Sequence, residues 1–278
     1  MKEKQLNLLA LTPCCVDYYP QKDKSYLGGN SLNVASMWRQ LDANANITVI
    51  TCLGKDDNGK MINDFFKHIS INTDKVYIKE GTTACNQLRV DEHGERFSIE
   101  GAWQGGVYET FLLTNDDWEW VSHQDIVAIP ANNPNFSAMT REKHNNQLLS
   151  VDYLDIENGI SIEDSVDFTD IAFVTSRPDL LSGYRELAFT KKKLIVVTLG
   201  AHGSYAFYNG ETYYQPALQV SDVIDTTGCG DAYQAAFALT YYKTKNIIES
   251  MRAGAIAASQ ILQAWGGVGK MGFTVTKE

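Results

Sequence analysis

The chain has 278 residues, of which 44% are hydrophobic and 21% charged, and its formal net charge is −10. This composition is typical of a globular protein with a sizeable core. The negative charge argues against nucleic acid or an anionic membrane as partner, because both would be repelled over most of the surface. No apolar stretch approaches the roughly 18 residues of a membrane span, so we expect a soluble protein.

The cysteines and histidines exclude further classes. The five cysteines are odd in number and lack C-x-x-C spacing, and the apolar run at the N-terminus is too short for a signal peptide. The five histidines are scattered, whereas closed metal sites have clustered ligands. There is also no Walker-type G-x-x-x-x-G-K-[ST] loop. We therefore expect a reduced, cytoplasmic protein without a histidine metal site.

Strand-like apolar runs alternate with helical patterns along the chain. The predicted strands are 6–12, 47–54, 125–130, 148–153, 170–176 and 193–200, and the first predicted helices are 30–43 and 58–69. Such alternation is typical of a mainly parallel sheet with helices on both faces. The sequence predicts an α/β fold, a three-layer α/β/α sandwich.

Two segments depart from this alternation. Residues 79–108 contain two polar-alternating runs around the turn signal Glu92-His93-Gly94, which predicts an exposed hairpin that acts as a flap. Residues 203–215 carry Asn209-Gly210 between aromatic runs, which predicts a type I′ hairpin at the sheet edge. Neither linkers nor repeats divide the chain. We expect one domain, 1–278, with a small β-sheet lid formed by about 13–29 and 79–112.

The run "DTTGCGDAYQAAFALTYY", 225–242, contains the start of a predicted helix. It has more glycine and acidic residues at that start than a helix cap requires. Three residues could each cap that helix: Asp225, Thr226 and Thr227. Two glycines and a carboxylate, Asp231, then follow. Glycines at a helix start let backbone N–H groups approach phosphate, and a carboxylate beside them could take a proton from an attacking hydroxyl. A capped helix start without further function is the alternative.

Four segments in order resemble the PfkB (ribokinase-like) sugar kinases. "DTTGCGD" is similar to the family's D-T-x-G-A-G-D, and "GGNSLNVA", 28–35, is similar to G-G-x-x-x-N-x-A. "LGKDDNG", 53–59, and "VTLGAHG", 197–203, resemble two further family segments. Taken singly, the glycine turn at 28–29 or the strand exit at 53–59 could be purely structural. Together they imply a ribokinase-like fold and an ATP-dependent carbohydrate kinase.

The resemblance implies a role for individual residues. It makes Asp231 the catalytic base and assigns the anion hole to Gly228, Cys229 and Gly230. Sugar hydroxyls would be held by Asp17, Gly29 and Asn33. The nucleotide would be bordered by Thr198, Gly200, Gly203 and, on the helix that closes over adenine, Ser259.

The metals implied by the family are Mg²⁺ and, in many members, a monovalent cation such as K⁺, which Asp225 would help to bind. The family's magnesium-organising N-x-x-E falls on Ser176-Arg177-Pro178-Asp179, which keeps oxygen ligands but alters their reach. Cys229 replaces the usual alanine, and a thiol at a helix N-terminus tends to have a lowered pKa.

Within the family, "CCVDYYPQKDKSYLGGNSLNVA", 14–35, is especially similar to the fructoselysine 6-kinases. This implies phosphorylation of the 6-hydroxyl of a fructosamine. Glu100 and Trp103 in the lid could face its amine, or could be a solvated charge and a core anchor. Fructose, ribose or another small sugar is the alternative substrate, and a non-catalytic sugar or nucleotide sensor is the alternative function. Exposed lid edges predict a homodimer through the lid.

Overall fold

A computed structural model describes residues 4–11, 13–155 and 160–271. In chain order the strands are β1 Asn7–Leu11, β2 Cys15–Tyr19, β3 Lys24–Gly28, β4 Asn46–Gly54, β5 Val76–Lys79, β6 Cys85–Val90, β7 Arg96–Ser98, β8 Ile126–Pro130, β9 Leu148–Asp155, β10 Ile171–Thr175, β11 Leu194–Thr198, β12 Ser204–Tyr208 and β13 Glu211–Gln215. The helices are α1 Asn30–Leu41, α2 Asp57–His68, α3 Asn115–Ser122, α4 Phe136–Glu142, α5 Leu181–Lys191, α6 Cys229–Thr244 and α7 Ile247–Ile261. Thr12, the last residue of the first predicted strand, lies outside the described residues.

The larger sheet has the strand order β13-β12-β11-β10-β9-β8-β1-β4-β5. All neighbours from β11 through β5 are parallel, so the carboxyl ends of seven strands share one edge. The last two strands form the predicted edge hairpin, and Asn209 and Gly210 at its turn have φ angles of 51° and 85°. These left-handed values are what a type I′ turn requires. The mainly parallel sheet and the edge hairpin are confirmed.

Both faces of this sheet are covered because alternate residues of each strand enter different hydrophobic layers. On β1, Leu8 contributes to the layer that also contains Phe66 of α2 and Phe237 of α6. Its neighbour Leu9 contributes to the opposite layer with Met139 of α4. The three-layer α/β/α sandwich is therefore confirmed, and no helix among the described residues is long and apolar enough to cross a membrane.

The smaller sheet has the order β3-β2-β6-β7. It joins two antiparallel hairpins, because β2 pairs with β3 and β6 pairs with β7, while β2 and β6 lie parallel. The turn of the second hairpin falls at Glu92 and His93, as predicted. All three residues of β7 are exposed. The four strands come from the two segments that were expected to form the lid.

Candidate active site

The first turn of α6 carries Asp231 between two asparagines of α1. Asn30 Nδ2 donates to Asp231 Oδ1 at 2.6 Å, and Asn33 Nδ2 donates to Oδ2 at 2.7 Å. The asparagines are three residues apart, so they lie on one face of α1. Burial raises the pKa of Asp231 above its usual value, and the two amide donors oppose that rise.

The same asparagines retain unused acceptors. Among the described residues, Asn30 Oδ1 and Asn33 Oδ1 are buried and have no hydrogen-bond partner. Buried polar atoms nearly always have a hydrogen-bond partner in folded proteins. A hydroxyl group of a bound ligand could donate to these two amide oxygens beside the carboxylate. The predicted residues Asp231 and Asn33 are thus brought together, and Asn30 joins them.

Asp152, at the carboxyl end of β9, was not singled out from the sequence. Asn30 Nδ2 also lies 3.4 Å from Asp152 Oδ2. Burial, followed by the charge of Asp231, raises the pKa of Asp152 to about 7. The signal that could have revealed it is a carboxylate inside an apolar strand near its carboxyl end, where ligands bind in parallel sheets.

Asp17 projects from β2 of the smaller sheet and is only 4% exposed. Burial raises its pKa to about 6, although the positive charge of Arg96 opposes the rise. A Cβ atom on Gly28 would lie 1.9 Å from Asp17 Oδ2, so glycine is required there. Gly29 is also constrained, because its φ is 93° and a Cβ atom would lie 2.7 Å from the Pro13 carbonyl oxygen. The glycine pair therefore makes room for the carboxylate and for α1.

The start of α6 is open rather than capped. Gly228 is the N-cap residue with a left-handed φ of 80°, and no side chain of the described residues caps the helix. The three candidate caps, Asp225, Thr226 and Thr227, are thus not used in that way: Asp225 instead accepts from the backbone N–H of Thr227 at 2.9 Å. A Cβ atom on Gly228 would lie 2.5 Å from Gly267 Cα. Cys229 and Gly230 follow as the first helical residues, where N–H groups suit an anion.

The expected lowering of the Cys229 thiol pKa is also wrong. Burial raises the pKa of Cys229, and the nearby carboxylates of Asp225 and Asp231 raise it further. Its Sγ donates to the carbonyl oxygen of Ala258 at 3.6 Å. Desolvation and negative charge outweigh the helix dipole at this position, so the thiol stays protonated.

The predicted nucleotide residues lie along the other half of the strand edge. Thr198 ends β11, and its Oγ1 is 3.1 Å from Thr175 Oγ1 at the end of β10. Gly200 has a φ of 55° and open space where a Cβ atom would be, whereas a Cβ atom on Gly203 would lie 2.3 Å from the Gln215 carbonyl oxygen. Ser259 lies on α7 and donates to the carbonyl oxygen of Ile256.

The predicted metal residues are not clustered. Asp179 is exposed and forms an ion pair with Arg177 Nε at 3.4 Å, while Ser176 Oγ is buried and has no hydrogen-bond partner in the described part of the chain. No group of three or more His, Cys, Asp or Glu side chains that could hold a metal occurs in the described ranges. A metal here would depend on water and on ligand oxygens, as magnesium commonly does.

Glu100 and Trp103 are the two lid residues predicted to face the amine. Within the described residues, neither takes part in the hydrogen bonds around Asp231. Glu100 is exposed in a turn. Trp103 is 42% exposed and meets Tyr108 edge-on, with ring centroids 6.5 Å apart. The exposure of Trp103 excludes the alternative of a core anchor, and Glu100 has the exposure of a solvated charge.

The lid hairpin touches the loop that leads into α6. Thr226 N donates to the Gly94 carbonyl oxygen at 3.0 Å, and Arg96 N donates to Thr226 Oγ1 at 2.9 Å. A Cβ atom on Gly94 would lie 2.5 Å from Val223 Cγ1, so the approach is close. This contact, the lid clasp, also places the positive charge of Arg96 where it opposes the rise in the pKa values of Asp17 and Asp231.

The chain is similar to known kinases over nearly its whole length. It is 27% identical over 255 residues to fructoselysine 6-kinase of Shigella flexneri, covering 91% of this chain and 95% of that protein. It is 25% identical to the fructosamine kinase of Bacillus subtilis (strain 168), covering 95% and 93%. Its fold matches Arabidopsis thaliana ribokinase complexed with ribose and ATP, with a TM-score of 0.79, 21% identity and 95% of each chain covered.

A family model for pfkB carbohydrate kinases matches residues 7–153 and 164–270. Those ranges contain the glycine pair before α1, the open start of α6 and Asp231 between its two asparagines. The chain belongs to the pfkB family of carbohydrate kinases.

Proposed function

We propose that this ATP-dependent carbohydrate kinase phosphorylates the 6-hydroxyl of fructoselysine or a related fructosamine. The observation that carries the proposal is the set of three carboxyl groups whose pKa values are raised mainly by desolvation, Asp17, Asp152 and Asp231. Transfer needs one base, so two acidic groups are available to bind hydroxyls and a protonated secondary amine. Similarity to fructoselysine 6-kinase and fructosamine kinase over more than nine-tenths of the chain supports the same substrate class.

In the proposed reaction, the substrate hydroxyl oxygen attacks the γ-phosphorus and its proton passes to Asp231. The bond from the γ-phosphorus to the bridging oxygen breaks, and ADP leaves with that oxygen. The backbone N–H groups at Gly228, Cys229 and Gly230 stabilise charge on the transferred group, since no side chain in the described part of the chain caps this helix start. Asn30 and Asn33 hold the carboxylate in position.

Family kinases use ATP with a divalent metal, and we propose Mg²⁺ here. Thr198, Gly200, Gly203 and Ser259 would border the nucleotide. Ser176, whose buried Oγ has no partner among the described residues, and Asp179 would hold the metal through water. Bound magnesium neutralises charge on the phosphates.

The amine end of the substrate has two sets of candidate partners. Glu100 and Trp103 lie in the lid, where a carboxylate or an indole face could contact a protonated amine. Asp152 is the better placed carboxylate, because Asn30 links it to Asp231. We propose that Asp17, Gly29 and Asn33 bind the sugar and that the acidic groups beside it select the amine.

The test compares kcat/KM for fructoselysine, fructose and ribose with the same ATP and magnesium, and locates the phosphate on the product by ³¹P NMR. We expect fructoselysine to be preferred and the product to be the 6-phosphate. Equal use of fructose or ribose would reduce the assignment to a small-sugar kinase. ATP binding without turnover on any acceptor would instead favour the sensor alternative. An Asp152→Asn variant, which loses the charge, should lose preference for the amine substrate.

We also propose a homodimer through the lid and a cytoplasmic location. Strand β7 is an edge strand, and Phe97 on it and Ile99 directly after it are 48% and 36% exposed. Unpaired edges with apolar side chains favour pairing with a second copy. Light scattering on the wild type and on Phe97→Glu tests this, because the variant should become monomeric. Leu88 is unsuitable for such a test, since it is 2% exposed and a charge there would disrupt the lid itself.

A further inference from the structure

Asp225 begins the loop that leads to the anion hole and is fully buried. The family resemblance makes it a residue that helps to bind a monovalent cation. A carboxylate offers about four acceptor positions, and a cation needs some of them free. The surroundings of Asp225 therefore decide whether such a cation fits.

Three donors of the protein already point at this carboxylate. Tyr19 Oη donates to Asp225 Oδ2 at 2.7 Å, and the backbone N–H of Gly266 donates to the same oxygen at 2.9 Å. The N–H of Thr227 donates to Oδ1 at 2.9 Å. Each of these hydrogens presents positive charge where a cation would approach. Three of the roughly four acceptor positions are therefore taken by donors of the protein, and these hydrogens disfavour a cation at the position that remains.

Tyr19 reaches this position from the lid and is held there on several sides. It is fully buried at the end of β2, and its hydroxyl also shares a 2.9 Å hydrogen bond with Thr227 Oγ1. Its ring meets Tyr26 and Trp265 edge-on, with centroids 5.2 and 5.5 Å away.

The loop after α7 closes the same cluster. Lys22 Nζ lies 4.1 Å from the centroid of the Trp265 ring, which brings a positive charge beside the cluster without contacting Asp225. A Cβ atom on Gly267 would lie 2.3 Å from Asn33 Nδ2, and one on Gly228 would lie 2.5 Å from Gly267 Cα. Any shift of this loop is therefore transmitted to both the sugar side and the anion hole.

We propose that the Tyr19 hydroxyl and two backbone N–H groups replace the monovalent cation in this chain, so that Tyr19 is a positioning residue and activity is independent of K⁺. The proposal rests on the kinase activity of the family and not on the identity of the sugar. Tyr19 holds the Asp225 carboxylate in position, and Asp225 in turn holds the loop that leads to the proposed anion hole.

The first test measures kcat with the best acceptor of the sugar panel, and Tm with and without ATP, in matched KCl and choline chloride. We expect both quantities to be the same in the two salts. Activation by K⁺ of more than about threefold, or a rise in Tm specific to K⁺, would overturn the proposal, since either requires a bound cation. The Tm measurement does not depend on which sugar is phosphorylated.

The second test compares Tyr19→Phe with Tyr18→Phe. The control is the neighbouring residue in sequence, and it loses an exposed hydroxyl that donates to Asp23. We expect Tyr19→Phe to lower kcat about tenfold at unchanged sugar KM, the order expected when a hydrogen bond to a charged group is lost. Equal kcat for the two variants would contradict the positioning role. If Tyr19→Phe does not fold, the salt comparison on the wild type still decides the proposal.

Discussion

The two sheets of this molecule differ in how far their strands are buried. All five residues of β8 in the larger sheet are buried, whereas all three residues of β7 in the smaller sheet are exposed. The larger sheet is covered by helices on both faces and holds Asp152 and Thr198 at its edge. The smaller sheet contributes Asp17 and Tyr19 from β2 while its outer strand faces solvent. We infer that the larger sheet supplies stability and that the smaller one supplies ligand contacts that must open and close.

The largest expected effect is on chemistry and leaves both sheets intact. Asp231→Asn should lower kcat by about 10²- to 10⁴-fold, because an amide cannot take the proton. The amide should be accommodated, because Asn30 and Asn33 each have an unpaired Oδ1 that a side-chain flip can turn toward it. Kinetics and ATP affinity measure this, and Tm serves as the folding control. An unchanged kcat would remove Asp231 from the role of base.

The next prediction contrasts one core residue with one lid residue. Leu9→Ala should lower the free energy of unfolding by about 2–5 kcal/mol, because Leu9 is fully buried in the larger sheet. Phe97→Ala on β7 should change it by less than about 0.5 kcal/mol, because nearly half of that side chain is exposed. Urea denaturation of both variants measures the difference. Similar losses would mean that the lid is part of the stable core.

Breaking the lid clasp should have a smaller effect, which we expect on sugar binding and on the exclusion of water rather than on stability. Thr226→Val removes the oxygen that accepts from Arg96 N at 2.9 Å. We expect sugar KM to rise about five- to tenfold, which corresponds to one lost hydrogen bond, while Tm stays close to that of the wild type. ATP hydrolysis without sugar transfer should also increase, since a loosened lid admits water. The reverse result, an unchanged KM with a lowered Tm, would make the contact purely structural.

Asp152 gives a pH-dependent effect on stability. Its pKa in the folded protein is about 7, above the usual value of 3.8, so the folded state binds the proton more strongly than the unfolded state. Stability from this group is fully present below pH 3.8 and is lost as the pH rises from there to about 7. Asp152→Asn should therefore raise Tm at pH 8 by at least a few degrees, since about 1 kcal/mol already produces such a shift, and change little near pH 3.8. A Tm difference independent of pH would contradict the raised pKa.

The smallest effect is expected at the anion hole. Cys229→Ala restores the family's usual residue and keeps the backbone N–H, so kcat should stay within about twofold of the wild type. Because burial raises the pKa of this thiol, the wild type should also resist iodoacetamide at neutral pH. Rapid inactivation that the alanine variant escapes would show a reactive thiol.

The regular elements could be predicted because periodicity and turn chemistry are local. Strand β11, the Asn209-Gly210 hairpin and the helix beginning at residue 30 all follow from patterns within a few residues. Asp231 and Asn33 were found because their motif is also local. Asp152 and Arg96 were missed because their importance comes from neighbours that lie far away in sequence.

The unused candidate cap and the wrong pKa expectation at α6 have the same origin. Asp225 does not cap the helix, because Tyr19 and Gly266, 206 and 41 residues away in sequence, hold its carboxylate. Cys229 does not have a lowered pKa, because burial by tertiary contacts outweighs the helix dipole. Rules based on neighbouring residues fail at this position because its contacts come from segments that are distant in sequence.

The lid clasp also has a consequence for the order of events in a catalytic cycle. Gly94 and Arg96 bind Thr226 in the loop beside the proposed anion hole. If the transferred phosphoryl group is bound there, as we propose, the phosphorylated sugar leaves after these two hydrogen bonds break. We then expect the opening rate of the hairpin to limit turnover, and kcat to fall in viscous solvent even though no chemical step involves the solvent.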